Sequence, residues 1–176
     1  MLKKQLFLVL FVYLHWAVGQ DKQTATYIKT LDTLVAHLDK QEHWTRVDSF
    51  QIENFSSKMA ILKVYYKDQT LRKMVLKGRG SSFELEKRFY LENDSLRYAR
   101  EQHIQYVKPM DGAYDTQQDE VELNEIKSYF KQDRLLYQLD NTIHGDPSLS
   151  EAYLKATGAS ILDELRVLRA LLDNTD

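Results

Sequence analysis

Apolar and polar positions alternate from Met59 to Val107, in three segments separated by short polar breaks. In the third segment Phe83, Leu85, Phe89 and Leu91 share one parity, and Glu84, Glu86, Arg88 and Glu92 share the other; Lys87 and Tyr90 depart from the pattern. Successive residues of a strand point to opposite faces of a sheet, so this segment predicts a strand with a dry and a wet side. The break Glu92-Asn93-Asp94-Ser95 is made of residues that bond their own backbone and tolerate left-handed conformations. After it Leu96, Tyr98, Ile104 and Tyr106 share one parity, which predicts a hairpin and, over the whole stretch, an antiparallel β-meander.

Other segments extend this plan. Val47 to Phe55 has an imperfect alternation that suits a first strand, and Val121 to Lys131 with Leu135 to Leu139 predicts a further hairpin turning at Gln132-Asp133. That makes a sheet of five to seven strands. From Thr24 to Lys40, Tyr27, Ile28, Leu31, Leu34, Val35 and Leu38 recur at three- and four-residue steps, the period of an amphipathic helix. Asp146 at a cap position with Pro147 after it opens a C-terminal helix that carries Leu149, Ala152, Tyr153 and Ala156. Gly158 interrupts it, and Ile161, Leu162, Leu165, Leu168, Leu171 and Leu172 continue beyond, so one helix or a helix pair is expected. Lys108 to Asp119 reads as an exposed loop. An initial helix, a meander and a closing helix or helix pair packed on the sheet define an α+β fold.

A hairpin signature repeats three times: Lys-x, two aromatic-type residues, a polar turn and a leucine. The copies are Lys63 to Leu71 around Tyr65-Tyr66, Lys87 to Leu96 around Phe89-Tyr90, and Lys127 to Leu135 around Tyr129-Phe130. Hairpins of this kind resemble the variant MORN-type repeats of small exported bacterial proteins. The resemblance implies a sheet used as an interaction surface, with no catalytic residues to carry over. Glycine, usual in the turns of such repeats, is missing from all three turns here.

Composition and the N-terminus change the setting. Lys3 and Lys4, the apolar run Leu6 to Leu14, and Ala17-Val18-Gly19 predict a secretory signal peptide over residues 1–19, leaving 20–176 as a single α+β domain. The run is shorter than the roughly 20 residues that span a bilayer, so no membrane span is expected after cleavage. The chain has no cysteine, which points away from disulfide-stapled eukaryotic secreted domains and towards a periplasmic or extracellular protein of a Gram-negative envelope. Loss of Lys3 and Lys4 would take the formal charge from −2 to −4; with no basic run remaining, nucleic acid is not an expected partner.

No stretch carries a catalytic signature. His37 and His43 are not spaced as metal ligands, and His103, between Glu101 and Gln105, reads as a solvated histidine. Gly78-Arg79-Gly80-Ser81-Ser82 lacks the lysine and helix of a phosphate cradle and reads as a bulged connection. Neither metal nor cofactor is expected. Glu84 and Glu86 could form a glycosidase-like carboxylate pair, which makes an envelope hydrolase one alternative and a structural envelope subunit another. The leading expectation is an exported binding module using the aromatic-rich sheet or a sheet–helix cleft. Its contacts would be Tyr65, Tyr66, Phe89, Tyr90, Tyr98, Tyr129, Phe130 and Tyr137, and its partner an envelope protein or an apolar or amphipathic ligand. A curved sheet closed by helices also resembles periplasmic lipoprotein-carrier folds, which implies an apolar ligand.

Overall fold

The backbone closes each predicted hairpin at the expected residues. Asp68-Gln69, Asn93-Asp94 and Gln132-Asp133 all have positive φ, between 49° and 64°. Two consecutive left-handed residues make the type I′ turn, whose twist matches that of the strands it joins. The computed structural model describes residues 22–52, 59–80, 83–106, 121–142 and 149–173. The signal-peptide reading, the loop from Lys108 to Asp119 and the Asp146-Pro147 start signal fall outside them.

The chain divides into two units, Met1–Lys40 and Gln41–Asp176. In the first, helix α1 spans 22–40. Thr26, Thr30 and Thr33 each donate a side-chain hydrogen bond to the carbonyl four residues earlier, which satisfies their hydroxyls within the helix.

The second unit holds β1 (Arg46–Ile52), β2 (Met59–Lys67), β3 (Thr70–Arg79), β4 (Phe83–Glu92), β5 (Ser95–Tyr106), β6 (Val121–Lys131), β7 (Arg134–Asp140) and helix α2 (Glu151–Asp173). The strands form one antiparallel sheet in chain order. Each of the three turns is followed by the same register shift: Tyr66 pairs with Leu71 but Tyr65 with Lys73, Leu91 with Leu96 but Tyr90 with Tyr98, and Phe130 with Leu135 but Tyr129 with Tyr137. One extra residue thus bulges from each returning strand, at Arg72, Arg97 and Leu136. The structural repeat is therefore Tyr65-Tyr66, Tyr90-Leu91 and Tyr129-Phe130. Its second copy is shifted one residue from the Phe89-Tyr90 alignment that sequence similarity suggests. The bulge also splits the parity expected of β5, sending Leu96 to one face and Tyr98 to the other.

The core lies on the face that meets α2. Leu62, Val64, Met74, Leu76, Phe89, Leu91, Leu96 and Phe130 from the sheet pack with Leu165 and Leu168, and Leu154, Ile161, Leu162 and Leu172 join them. Burying such side chains contributes about 1.5–3 kcal/mol each before the entropy of ordering them is subtracted. Helix α2 is continuous through Gly158, so the helix pair does not form. A β-carbon at Gly158 would lie 2.9 Å from Cβ of Leu135, so glycine is what lets the helix sit this close to β7. The helix cap is Ser150, whose hydroxyl accepts from the Tyr153 amide at 3.2 Å.

Candidate functional site

Because consecutive strands pair, the bulged repeat lines its aromatic residues up. Tyr65, Lys73, Tyr90, Tyr98, Tyr129 and Tyr137 form one row across β2 to β7 on the face away from α2. Neighbouring rings meet edge to face, at 5.5 Å for Tyr90 and Tyr98 and 5.1 Å for Tyr98 and Tyr129, and Tyr137 continues the row at 6.2 Å. Trp44 packs on Tyr65 at 5.2 Å, and the Lys73 ammonium lies 4.7 Å from the Tyr65 ring centre and 5.3 Å from that of Trp44.

Five of the eight predicted contact residues, Tyr65, Tyr90, Tyr98, Tyr129 and Tyr137, are thus brought together, while Tyr66, Phe89 and Phe130 turn to the opposite face. Tyr90, Tyr98 and Tyr129 are buried, as are Phe89 and Phe130 in the core. Tyr66 is half-buried under the Arg46 guanidinium, 3.9 Å from its ring centre.

One concavity lies on the other side, between the sheet and α2. Tyr153, Thr157, Ser160, Ile161 and Glu164 recur at helical spacing, so one face of α2 forms its roof. Phe89, Ala99, Ile126, Ser128 and Gln138 form the floor of a cavity of about 280 Å³. Two polar ties bracket it. At one end the Lys87 ammonium meets Glu164 at 2.9 Å and Glu101 at 3.2 Å. Burial works against the charge on Lys87, but its bonds to Glu164 and Glu101 outweigh that and raise its pKa. At the other end the Tyr153 hydroxyl donates to Gln138 Oε1 at 2.8 Å, and Gln138 Nε2 donates to Ser128 Oγ at 2.9 Å. Glu164 and Tyr153 stand about 16 Å apart along the helix axis.

The cleft adjoins a second depression of about 490 Å³ that shares Glu101 and Ile126 and adds Phe83, His103, Asn124 and Asp140. His103 is therefore no isolated solvated side chain: it shares the α2 face of the sheet and packs against Phe83, with ring centres 5.4 Å apart. At the β3–β4 connection the Gly80 amide donates to the Phe83 carbonyl at 2.8 Å, and the Phe83 ring covers Gly80 so closely that a β-carbon would overlap it.

Glu84 and Glu86 face away from the cleft, in a groove of about 700 Å³ with Ile61, Lys77, Gln102 and Ile104. Glu84 pairs with Arg79 at 3.2 Å; Glu86 pairs with Lys77 at 2.6 Å and with Arg88. Burial raises the pKa of Glu86, but the hydrogen bonds from Lys77 and Arg88 outweigh that and leave it below the usual carboxylate value. Glu86 is thus a held anion, unsuited to donate a proton at neutral pH. Among the described residues no three His, Asp or Glu side chains are grouped to hold a metal ion, and no helix is long and apolar enough to cross a membrane.

Sequence reasoning expected a sheet–helix cleft but did not find the residues that line this one. Its residues come from β4, β5, β6, β7 and α2, and the only local signal was Lys87, a charge at a position where the alternation requires an apolar side chain. No protein-family model, curated protein or solved structure matches the chain.

Proposed function

We propose that the chain is an exported binding protein whose ligand site is the cleft between the sheet and α2. The observation that carries this reading is the cavity itself: an apolar floor of Phe89, Ala99 and Ile126, hydroxyls of Thr157 and Ser160 above it, and a polar tie at each end. Concave sites with a mainly apolar lining and a few fixed polar groups are the usual form of small-ligand pockets. The Lys87 and Gln138 ties hold roof and floor at a set separation, which limits the ordering cost of binding. The chemistry suits a small amphipathic molecule, with its apolar part on Phe89 and Ile126 and its polar part at the Lys87–Glu101–Glu164 end. Export is supported by the basic, apolar and small-residue order of residues 1–19.

The test is native mass spectrometry of the mature protein isolated from its own envelope, beside an Ala99→Phe variant that fills the cavity. The expected result is a co-purifying small molecule on the wild type that is missing from the variant. Wild type without any bound molecule, or the same adduct on both proteins, would overturn the assignment.

A further inference from the structure

The face of the sheet away from α2 carries a row that no local stretch of sequence displays. Lys63, Val75, Arg88, Arg100 and Lys127 lie at one level across β2 to β6: Lys63 opposite Val75, Val75 opposite Arg88, Arg88 opposite Arg100, and Arg100 opposite Lys127. The repeat places them, since Lys63, Arg88 and Lys127 each stand two residues before the repeat tyrosine. The basic stripe missing from the linear sequence is therefore built by the fold.

Like charges directly opposite one another destabilise a sheet, yet Arg88, Arg100 and Lys127 occupy adjacent strands at one level. Two carboxylates relieve them. Glu86 is shared by Arg88 and Lys77, and Glu125 by Arg100, at 2.7 Å, and Lys127, at 3.0 Å. Over this level and the next, Lys63, Lys77, Arg88, Arg100 and Lys127 thus stand against Glu86 and Glu125, on a chain whose formal charge is −2. Functional or strained sites are where such departures from local stability rules are expected. Strands are about 4.8 Å apart, so the row from β2 to β6 spans about 19 Å. The groove of about 700 Å³ beside it offers the Gln102 amide and the apolar side chains of Ile61 and Ile104.

We infer that this face binds an acidic polysaccharide laid across the strands, with its anionic groups along the Lys63–Lys127 row and its sugar rings over the Ile61–Gln102–Ile104 groove. Charge complementarity selects a linear polyanion, and the groove suits the mixed hydroxyl and C–H surface of a sugar. Sequence-independent binding of single-stranded nucleic acid needs open aromatic platforms for the bases. The aromatic row beside these cations has Tyr90, Tyr98 and Tyr129 buried, which favours the polysaccharide.

The experiment titrates the full chain into fluorescein-labelled polygalacturonate, followed by anisotropy at low and at physiological ionic strength (about 0.15 M). Binding that weakens with salt is expected, with Kd rising about tenfold or more in Lys63→Glu/Lys127→Glu, less in Lys63→Gln/Lys127→Gln, and not at all in Lys155→Glu on the distant surface of α2. Circular dichroism and melting temperature establish that each variant is folded; if the charge-reversed pair does not fold, the glutamine pair carries the test. No binding by the wild type at low salt, equal loss in Lys155→Glu, or tighter binding to an oligothymidylate of matched charge would overturn the inference.

Discussion

At the scale of single residues, the shared carboxylates Glu86 and Glu125 decide how the sheet responds to acid. In both, burial raises the pKa, but hydrogen bonding and charge from Lys77 and Arg88, and from Lys127 and Arg100, prevail and lower it from 4.5. A carboxylate with a depressed folded-state pKa stabilises the fold above its unfolded value, and that contribution disappears as pH falls through the folded value. Stability should therefore decline below about pH 4.5. The double variant Glu86→Gln/Glu125→Gln should lose about 1–2 kcal/mol at pH 7 and show a shallower acid decline. Urea unfolding at neutral and acidic pH reads both; identical pH slopes in variant and wild type would refute the assignment. The two residues that broke the alternation of β4 turn out to be its most informative positions. Lys87 ties the strand to α2, and Tyr90 enters the tyrosine row, so the exceptions to the pattern marked the positions with roles beyond packing.

At the scale of elements, α2 and its glycine can be tested directly. In an isolated helix Gly158→Ala would gain about 1 kcal/mol of propensity. Here the added methyl meets Leu135 Cβ at 2.9 Å, and overpacking of this kind costs about 1–3 kcal/mol. The variant should be less stable than wild type by about 1 kcal/mol in urea denaturation, and a stabilised variant would mean that α2 does not approach β7 as described. The sequence allowed a break at Gly158 because glycine suggests one wherever a helical pattern crosses it; the close approach to Leu135 is tertiary and has no local signal. The hairpins were legible for the converse reason. Asp68-Gln69, Asn93-Asp94 and Gln132-Asp133 are local turn signals between apolar strands, and the structure places a type I′ turn at each. Which face each aromatic residue occupies was not legible, because one bulged residue per hairpin resets the parity. The residues that line the cleft were hidden too, because they are gathered by register from five elements.

At the scale of the molecule, a sheet whose spatial order is its chain order has one lightly held margin. Among the described residues strand β1 pairs only with β2, and the packed helix α2 lies against β7 at the opposite edge. Local stability follows pairing and burial, so hydrogen exchange should be fastest in β1 among the strands and slowest in β4 and β5, with at least about a tenfold difference. Exchange followed by mass spectrometry on peptides from each strand measures this, and uniform protection would contradict it. The same ordering bears on how the protein is made. Each hairpin can form against the one just completed, without waiting for distant sequence, but the leucine face of the sheet is covered by the 23 residues of α2, which are synthesised after every strand. The growing chain therefore holds a sheet with one bare apolar side until α2 arrives, and the cleft comes into existence only at that moment.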